Sequence, residues 1–284
     1  MKNQLNQLMT SLGASNSLSK INCEKCGKER KQIQVDHPFE DRKVWVPVAC
    51  ECVIKALDDV SKNEASRYKQ NKINRALKLS SSYKELRELT FDNYKHRPGN
   101  ETAYKEVVDA VNNFGHRNKL GVFIFGETGN GKSHLTAAGG NRLIELGFSV
   151  VFMTEKDLLS RFNATKNFNN EESFHEIMTA CVTADLLIWD DFMSSQKLSN
   201  EEKDWMFQIV NGRERANKPI WATSNLTVQE FKDERTAFKL DDKGRTWWRL
   251  IGNMNCVFNK SSNYRQVKAM ARVTGVTADE YDMS

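Results

Sequence analysis

Eight residues in the middle of the chain, GETGNGKS, fit the pattern G-x-x-x-x-G-K-S/T at every position. Glycines at these places let a backbone turn tightly around a phosphate group and point its N–H groups at the anion. The lysine can neutralise the β- and γ-phosphates, and the hydroxyl of the serine can bind Mg²⁺. An apolar run precedes the loop and a helix-forming segment follows it. We therefore predict a binding site for ATP and Mg²⁺ formed by Gly126, Glu127, Thr128, Gly129, Asn130, Gly131, Lys132, Ser133 and the neighbouring His134.

A second candidate element is LLIWDD, residues 186–191, an apolar run that ends in two acids. Acids at the end of a buried strand can hold Mg²⁺ and orient a water molecule for attack on a phosphate. We predict that Asp190 belongs to the Mg²⁺ shell and that Asp191 is the general base. The alternative is a pair of acids that caps a loop, and the phosphate loop upstream makes that alternative weaker.

Four of the six cysteines form two close pairs, Cys23-x-x-Cys26 and Cys50-x-Cys52. The first spacing is typical of zinc ribbons and knuckles, and the second is one residue tighter than usual. We predict that these four residues bind Zn²⁺ in a small structural module. The alternatives are free thiols or a redox pair, and His37 could complete the metal shell if one cysteine fails to reach.

Five short apolar runs are predicted to be the strands that position these residues. They are GVFIFG (121–126), FSVVFM (148–153), DLLIWDD (185–191), PIWATSN (219–225) and NCVFN (255–259). Helix-like segments lie between them, which predicts an α/β fold with a parallel sheet covered on both faces. Gly139 and Gly140 stand inside the helix after the phosphate loop, where we expect close packing on the sheet. We expect Cys181 and Cys256, the two remaining cysteines, to be buried as small apolar residues.

Length, composition and charge indicate the class of protein. The 284 residues have a net charge of +5, no apolar run of membrane-spanning length and no secretory signal, so a cytoplasmic protein without a membrane partner is expected. Residues 53–100 alone carry eleven Lys/Arg against six Asp/Glu, a mild signal for nucleic acid. The predicted organisation is an N-terminal zinc-binding module at 1–52, a helical linker at 53–88 and an ATPase domain at 89–284.

From about Phe91 onward the chain resembles the AAA+ ATPases, and among them the bacterial and phage replicative-helicase loaders of the DnaC/DnaI type. Besides the phosphate loop and the acidic pair, TFDNY (90–94), WATSNL (221–226), GRTWWRLIGN (244–253) and SSNYRQ (261–266) are similar to segments of these proteins. The resemblance implies a sensor-1 role for Asn225 and a sensor-2 role for Arg265. It implies that Arg249, or alternatively Arg245, is an arginine finger.

Three further expectations follow from the resemblance. An arginine finger acts on a neighbour's nucleotide, which implies self-association through the AAA+ domain. Many AAA+ proteins have Glu where this chain has Asp191, so the hydrolysis rate is open, and a slow, switch-like ATPase is expected. The segment from 158 to 184 corresponds to a region associated with single-stranded DNA. It offers candidate phosphate and stacking contacts at Arg161, Phe162, Lys166 and Phe168, and an ordinary surface loop and helix is an equally good interpretation.

The surroundings of the cysteine pairs favour a protein partner over DNA. Residues 24–43 contain six basic and five acidic side chains, and the apolar run VWVPV (44–48) is expected to be partly exposed. Some DnaI-type loaders grip the helicase through a zinc-bearing N-terminal domain. We therefore expect an ATP-dependent loader that binds the ring-shaped, hexameric replicative DNA helicase and helps to place it on single-stranded DNA. The alternatives are an IstB-like transposition helper ATPase and a nucleic-acid-binding regulator with a weak ATPase.

Overall fold

The computed structural model of the protein describes residues 14–37, 40–80, 86–116, 121–167, 172–194, 197–275 and 277–278. The chain divides into two compact units, Met1–Tyr68 and Lys69–Ser284. Within the described parts of the chain, no helix is both long enough and apolar enough to cross a membrane.

The first unit contains a two-stranded antiparallel sheet. Strand β1 (Gln32–Asp36) pairs with strand β2 (Lys43–Pro47), with Gln32 opposite Pro47 and Asp36 opposite Lys43. Isolated bridges join Ser15 to Trp45 and Asn22 to Glu29. Helix α1 (Glu51–Leu79) starts in this unit and ends in the second. So small a sheet buries little apolar area, and a unit of this size usually needs a further crosslink to be stable.

The second unit is a five-stranded sheet with helices between its strands, in the order β4-β5-β6-β3-β7. All four strand pairs are parallel. In chain order the elements are α2 (Glu101–Asn112), β3 (Gly121–Phe125), α3 (Lys132–Glu145), β4 (Val150–Thr154), α4 (Glu155–Ala164), α5 (Phe174–Thr183), β5 (Leu186–Asp190), α6 (Asn200–Arg215), β6 (Ile220–Ser224), α7 (Val228–Lys232), α8 (Glu234–Phe238), α9 (Arg245–Gly252), β7 (Met254–Phe258) and α10 (Tyr264–Thr274). The five predicted apolar runs are thus five strands, and the predicted α/β sheet is confirmed.

Close packing of α3 on the sheet explains the two glycines inside this helix. A Cβ atom on Gly139 would lie 2.5 Å from the ring of Trp221, and one on Gly140 would lie 2.6 Å from Cδ1 of Ile188. Neither strand residue can move cheaply, because both are buried in the sheet. The helix therefore gives up some intrinsic stability, about 1 kcal/mol per glycine, in order to lie close to the sheet.

The two cysteines outside the pairs differ from each other. Cys181 is fully buried in α5, as expected, and burial raises the pKa of its thiol to about 12. Cys256 is exposed, so the prediction that it is buried was wrong. The physical reason is its place on β7, which pairs only with β3 and lies at the edge of the sheet.

Asp185, just before β5, accepts hydrogen bonds from two lysines and a serine. Its carboxylate accepts hydrogen bonds from Nζ of Lys72 and of Lys218, both at 2.8 Å, and from the backbone N–H and the hydroxyl of Ser149. Burial alone would raise the pKa of this carboxyl. The hydrogen bonds from the two lysines and from Ser149 outweigh burial and hold the pKa well below its ordinary value.

We expect Asp185→Asn to lower the free energy of unfolding by about 1–3 kcal/mol at pH 7, since charged hydrogen bonds are lost. A carboxyl with a lowered folded pKa stabilises the fold above its unfolded pKa of about 4, and this stabilisation is lost as pH falls. The difference between wild type and variant should therefore shrink below pH 4. Urea unfolding at pH 7 and pH 3 measures this difference in unfolding free energy. An equal difference at both pH values would contradict the stabilising role of the ionised Asp185 carboxylate.

Candidate nucleotide-binding site and cysteine cluster

The phosphate loop connects β3 to α3 and is held open by contacts from the C-terminal part of the unit. Gly129 has a φ of +74°, and a Cβ there would lie 2.1 Å from Oδ1 of Asn263, so only glycine fits. The side chains of Asn130 and Asn259 each donate to the other residue's backbone carbonyl, at 3.1 and 3.0 Å. Ser261 donates its hydroxyl to the same carbonyl of Asn130. These contacts fix the loop before any nucleotide arrives.

Lys132 lies in the centre of this loop. Its Nζ donates to the carbonyls of Gly126 and Glu127, at 3.0 and 2.6 Å, and to Oδ1 of Asn130 at 3.1 Å. Burial lowers the pKa of the amine to about 8, although the nearby carboxylates of Asp191 and Asp190 act in the opposite direction. The three direct hydrogen-bond acceptors of this buried cation are all neutral, so the amine can still bind an anion.

Asp190, at the end of β5, lies next to the start of α3. Its carboxylate accepts hydrogen bonds from the hydroxyls of Thr223 and Ser133. Burial raises the pKa of Asp190, an effect that a bound cation would reverse. A hydroxyl and a carboxylate side by side are the hard oxygen donors that Mg²⁺ takes from phosphate-loop proteins. Ser133 and Asp190 therefore fit the predicted Mg²⁺ site.

The loop after β5 has an unusual backbone. Asp191 and Met193 have φ values of +50° and +63°, which non-glycine residues rarely adopt and which cost of order 1–3 kcal/mol each. Three consecutive N–H groups of this loop are bound from outside. The N–H of Asp191 donates to Oγ1 of Thr223, that of Phe192 donates to the carbonyl of Thr223, and that of Met193 donates to Oε2 of Glu155. Asp191 is thus fixed by its neighbours' hydrogen bonds.

Glu155 and Thr223 are functional candidates that the sequence did not reveal. Glu155, the first residue of α4, is fully buried, and its carboxylate reaches across to the 2.6 Å contact with Met193. Thr223 contacts both acids of the predicted pair through one hydroxyl. A polar residue inside the buried strand WATSN was the available signal for Thr223. No local pattern marks Glu155, because its partner lies 38 residues away.

A cavity of about 500 Å³ opens at this edge of the sheet, a size that suits a nucleotide. Apolar side chains on one side (Leu86, Leu89 and Phe152) face the polar loop on the other. His134 also lines it. Its Nε2 lies 2.9 Å from the carbonyl of Thr90 and burial lowers the pKa of the ring, so a neutral imidazole is favoured.

Most predicted nucleotide-site residues line this one cavity: Thr128, Gly129, Asn130, Gly131, Lys132, Ser133, His134, Asp190, Asp191, Asn225 and Arg265. Gly126 and Glu127 contribute carbonyls to Lys132 instead. The side-chain amide of Asn225 lies 3.4 Å from Oδ1 of Asp191, so the two can share a water molecule. Arg249 is not part of the cavity lining. It lies on α9, where its guanidinium pairs with Glu214 and contacts Oδ1 of Asn211.

The four paired cysteines come together in the first unit, with all their sulfurs within 4.8 Å of one another. The Sγ–Sγ distances are 3.6 Å for Cys23 and Cys52, 3.5 Å for Cys26 and Cys50, and 3.6 Å for Cys50 and Cys52. A tetrahedral Zn²⁺ with bonds of about 2.3 Å requires sulfurs about 3.8 Å apart, and a disulfide requires about 2.05 Å. The geometry fits a metal and not a disulfide. Among the described residues, the cluster consists of these four cysteines without His37.

Close packing and nearby backbone N–H groups shift the pKa of two of these thiols. Backbone N–H groups of Cys26 and Lys25 point at the sulfur of Cys23 and lower its pKa to about 6. Crowding acts in the opposite direction on Cys52, where the contact with Cys26 raises the pKa to about 12. Four thiolates this close together repel one another unless a cation lies between them. A cluster that could bind zinc is therefore present.

With these two sites described, the comparison with known proteins is informative. The family model of the IstB-like ATP binding proteins matches residues 50–268, well over half of the chain. The chain belongs to this family. It is 34% identical over 168 residues to the replicative helicase loader DnaC of Buchnera aphidicola subsp. Baizongia pistaciae (strain Bp). That match covers 56% of this chain and 67% of the Buchnera protein.

Solved structures place the second unit of this IstB-like protein in the AAA+ fold. The crystal structure of the DnaC helicase loader matches with a TM-score of 0.53 and 20% identity, over 62% of this chain and 99% of that one. The replication initiator DnaA bound to AMPPCP and single-stranded DNA matches with a TM-score of 0.51 and 22% identity, over 66% of this chain and 56% of that one. The predicted resemblance to DnaC-type AAA+ proteins is confirmed.

The structure changes the interpretation of the segment from 158 to 184 in this IstB-like protein. Phe162 is fully buried and packs on Phe174 and Trp205, so the expectation that it stacks on DNA bases was wrong. Arg161 pairs with Glu172, and Lys166 pairs with Glu201 at 2.6 Å. The fourth candidate, Phe168, lies outside the described residues. Nearby acids thus neutralise the two cations that were expected to contact phosphates.

The apolar run VWVPV is partly exposed, as expected. Val44 and Pro47 are buried, and Trp45, Val46 and Val48 are half-buried. Exposed apolar side chains of the first unit lie elsewhere, at Leu18, Ile33, Ile54, Leu57, Val60 and Tyr68. Three of them, Ile54, Leu57 and Val60, are on the first turns of α1, directly after Cys52. The apolar surface that a partner would meet is therefore on this helix and on β1 more than on β2.

We expect Glu155→Gln to slow ATP hydrolysis by about 10-fold and to leave ATP affinity within about 2-fold of wild type. The amide keeps the shape of Glu155 but weakens the hydrogen bond to the N–H of Met193, so the loop that carries Asp191 relaxes. Steady-state kinetics measure this as a fall in kcat at constant KM. Asp157→Asn, an acid-to-amide change two residues further along α4, is the control. If Glu155→Gln had a normal kcat, Glu155 would have no role in ATP hydrolysis.

Proposed function

We propose that the protein is an ATP-dependent loader that binds the replicative DNA helicase and helps to place it on single-stranded DNA during replication initiation. The observation that carries this proposal is a preformed nucleotide site on a DnaC-like AAA+ frame. The identity with a named helicase loader over two thirds of that loader's length supports it. We also propose that the protein works in the cytoplasm.

In this proposal the nucleotide site hydrolyses ATP. Ser133 and Asp190 would hold Mg²⁺, which would reduce the negative charge of the ATP phosphates. Lys132 leaves its carbonyl acceptors and binds the same phosphates. Asp191 and Asn225, 3.4 Å apart, orient the attacking water, and Arg265 lies at the cavity wall to contact the nucleotide. The short side chain of Asp191 makes turnover slow and switch-like, and Arg249 completes the site of a neighbouring copy.

The first unit is proposed to be the handle for the helicase. Zn²⁺ held by the four cysteines would join the chain before β1 to the start of α1, which supplies the crosslink that so small a unit needs. The exposed apolar side chains Ile54, Leu57 and Val60 then stand on a fixed helix beside the metal. A fixed apolar surface loses less conformational entropy on binding a partner than a flexible one.

We expect one Zn²⁺ per wild-type chain after purification, and less than about 0.2 per chain in Cys23→Ser/Cys26→Ser, because two ligands cannot hold zinc tightly. Metal analysis by mass spectrometry provides the number. Cys256→Ser is the matched control, since this exposed cysteine lies outside the cluster. Wild-type protein without stoichiometric zinc contradicts the metal assignment.

Capture of the host's replicative helicase tests the function itself. The wild-type chain, with ATP and Mg²⁺, should retain the hexameric helicase on an affinity resin. Cys23→Ser/Cys26→Ser should lose it, and Cys256→Ser should keep it. Failure of wild-type protein to bind the helicase would refute the loader proposal. If the double variant still bound the helicase, the zinc cluster of the first unit would not be needed for that contact.

One rival function is that of an IstB-like transposition helper ATPase. Such a protein would bind a transposase on duplex DNA and not a helicase. The identity to a helicase loader favours the first proposal, and so does the cysteine cluster. A second rival, in which the zinc unit of a regulator binds DNA directly, predicts salt-sensitive DNA binding that disappears in Cys23→Ser/Cys26→Ser.

A further inference from the structure

Helix α9 exposes a tryptophan between two arginines. Arg245, Trp248 and Arg249 stand at positions i, i+3 and i+4 of this helix, so they share one side of it, and all three are exposed. Trp247 and Leu250 are buried and attach the other side of the helix to the domain. Trp248 is 54% exposed. Because tryptophan and arginine are enriched in the cores of protein interfaces, this side of α9 is a candidate interaction surface.

A second exposed aromatic side chain extends this surface to α8. Phe238, the last residue of α8, is 49% exposed. Among the described residues of the second unit, the exposed large apolar side chains that are aromatic are Phe238 and Trp248. A Cβ on Gly244 would lie 2.8 Å from Cβ of Ala237 and 3.3 Å from Nε1 of Trp248, so α8 and the indole meet at this glycine. We call Phe238, Arg245, Trp248 and Arg249 the α9 face.

The charges of the α9 face favour a protein partner over nucleic acid. Arg245 pairs with Asp241 and Arg249 pairs with Glu214, so each cation has an acid beside it. A surface that binds a polyanion gains its affinity from cations without such partners. Exposed ion pairs contribute little to stability, so either arginine can exchange its acid for another anion at small cost.

A second copy of this chain is the partner that fits the α9 face. The proposed finger role brings Arg249 into the nucleotide site of a neighbouring copy, and that neighbour then also covers Trp248, the preceding residue. The cavity of the neighbour offers a contact for each side chain. Bound ATP offers phosphates to the arginine, and the apolar side of the cavity, which includes the half-buried Leu86 and Leu89, offers a packing surface to the indole.

We propose that Trp248 anchors an interface between two copies of this chain, by packing on the apolar side of the neighbour's nucleotide cavity. This inference rests on the proposed function, because it adds the contact that carries Arg249 to the neighbour's site. The interface is heterologous, since the α9 face of one copy meets the cavity of the next, and every copy both gives and receives. Trp248 supplies affinity for the neighbour, whereas Arg249 supplies the increase in hydrolysis rate.

Phosphate release as a function of protein concentration separates an anchor from a finger. Trp248→Ala should raise the concentration of half-maximal turnover at least about 10-fold, as truncation of a central interface residue does, and leave turnover at saturation within about 2-fold of wild type. Trp248→Phe keeps an aromatic ring and should lie closer to wild type. Leu146→Ala, which truncates a 49% exposed side chain at the far end of α3, is the matched control and should change neither value.

Mixing two defective chains tests the direction of the contact. Lys132→Ala is expected to lose ATP binding but keeps its α9 face. Added in excess to dilute Trp248→Ala, it should restore phosphate release per Trp248→Ala chain to near the wild-type value. Lys132→Ala/Trp248→Ala should not restore it. Unchanged ATP affinity of dilute Trp248→Ala shows that this variant is folded.

An unchanged concentration of half-maximal turnover in Trp248→Ala overturns the proposal, and so does equal restoration by the single and double variants. Normal assembly of Trp248→Ala with loss of helicase capture would make the α9 face a helicase surface and overturn it too. Light scattering with an ATP analogue gives the same comparison without hydrolysis, so failure of the ATPase is distinguished from failure of the interface. If wild-type protein does not assemble, this inference fails, whereas helicase capture decides the loader proposal independently.

Discussion

Lys132→Ala is expected to weaken ATP binding at least about 100-fold and to abolish measurable hydrolysis. A 100-fold loss corresponds to about 2.7 kcal/mol, within the range for removing one partner of a buried charge pair. The large effect follows from the position of the amine. Lys132 is only 4% exposed, and its Nζ lies against the carbonyls of Gly126 and Glu127 inside the phosphate loop.

The same geometry predicts that the variant remains folded. Nζ of Lys132 contacts two carbonyls and one amide oxygen of its own loop, and none of these contacts joins distant elements. The Asn130–Asn259 hydrogen bonds and the hydroxyl of Ser261 still join the loop to the C-terminal part of the unit when the lysine is removed. Removing a buried cation whose pKa is already lowered to about 8 also relieves a desolvation cost. Thermal unfolding without nucleotide should therefore change by no more than a few degrees.

Titration of a fluorescent ATP analogue measures the affinity, with release of phosphate as the second readout. Lys156→Ala is the control, because this exposed lysine lies in the same unit, on α4, outside the cavity. It should bind ATP like wild type. If Lys132→Ala bound ATP with unchanged affinity, the cavity would not be a phosphate site and the proposed ATPase would have to be abandoned.

The parts of this site that sequence predicted are those determined by neighbours along the chain. The phosphate loop is a contiguous pattern in which glycines and the lysine act within one turn. The five strands are short apolar runs; β3, β4, β5 and β6 are buried along almost their whole length, and β7 only in part. The two cysteine pairs are local spacings, and the structure adds only that the pairs meet at 3.5–3.6 Å.

The parts that sequence missed depend on contacts between distant segments. Glu155 reaches Met193 across two strand ends, and Arg213, fully buried on α6, binds only backbone carbonyls of described residues, including those of Cys181, Ala184 and Pro219. No spacing rule marks either residue. The wrong predictions have the same origin. Phe162 is aromatic and Cys256 is small and apolar, but burial follows from the position in the sheet and on its helices.

Arg249→Ala is expected to lower the hydrolysis rate of assembled protein by about 10³-fold, the effect of losing an arginine finger. In the structure this guanidinium is engaged by Glu214 and Asn211 of α6, and it lies 5.9 Å from the ring centroid of Phe207. An arginine that must contact a neighbour's phosphate has to exchange the carboxylate of Glu214 for that phosphate. The ion pair with Glu214 therefore competes with a finger role of Arg249, and we expect Glu214→Gln to raise the assembly-dependent rate about 3-fold.

Phosphate release as a function of protein concentration separates this role from a structural one. Wild-type turnover per chain should rise with concentration, whereas Arg249→Ala should stay at the rate of the isolated chain with unchanged ATP affinity. Arg245→Ala is the control, because Arg245 lies one turn away on α9 and 5.1 Å from the same Phe207 ring. A concentration-dependent rate that is lost in Arg245→Ala and kept in Arg249→Ala would transfer the finger to Arg245. Turnover that is normal in both would show that each arginine serves only to join α9 to α6.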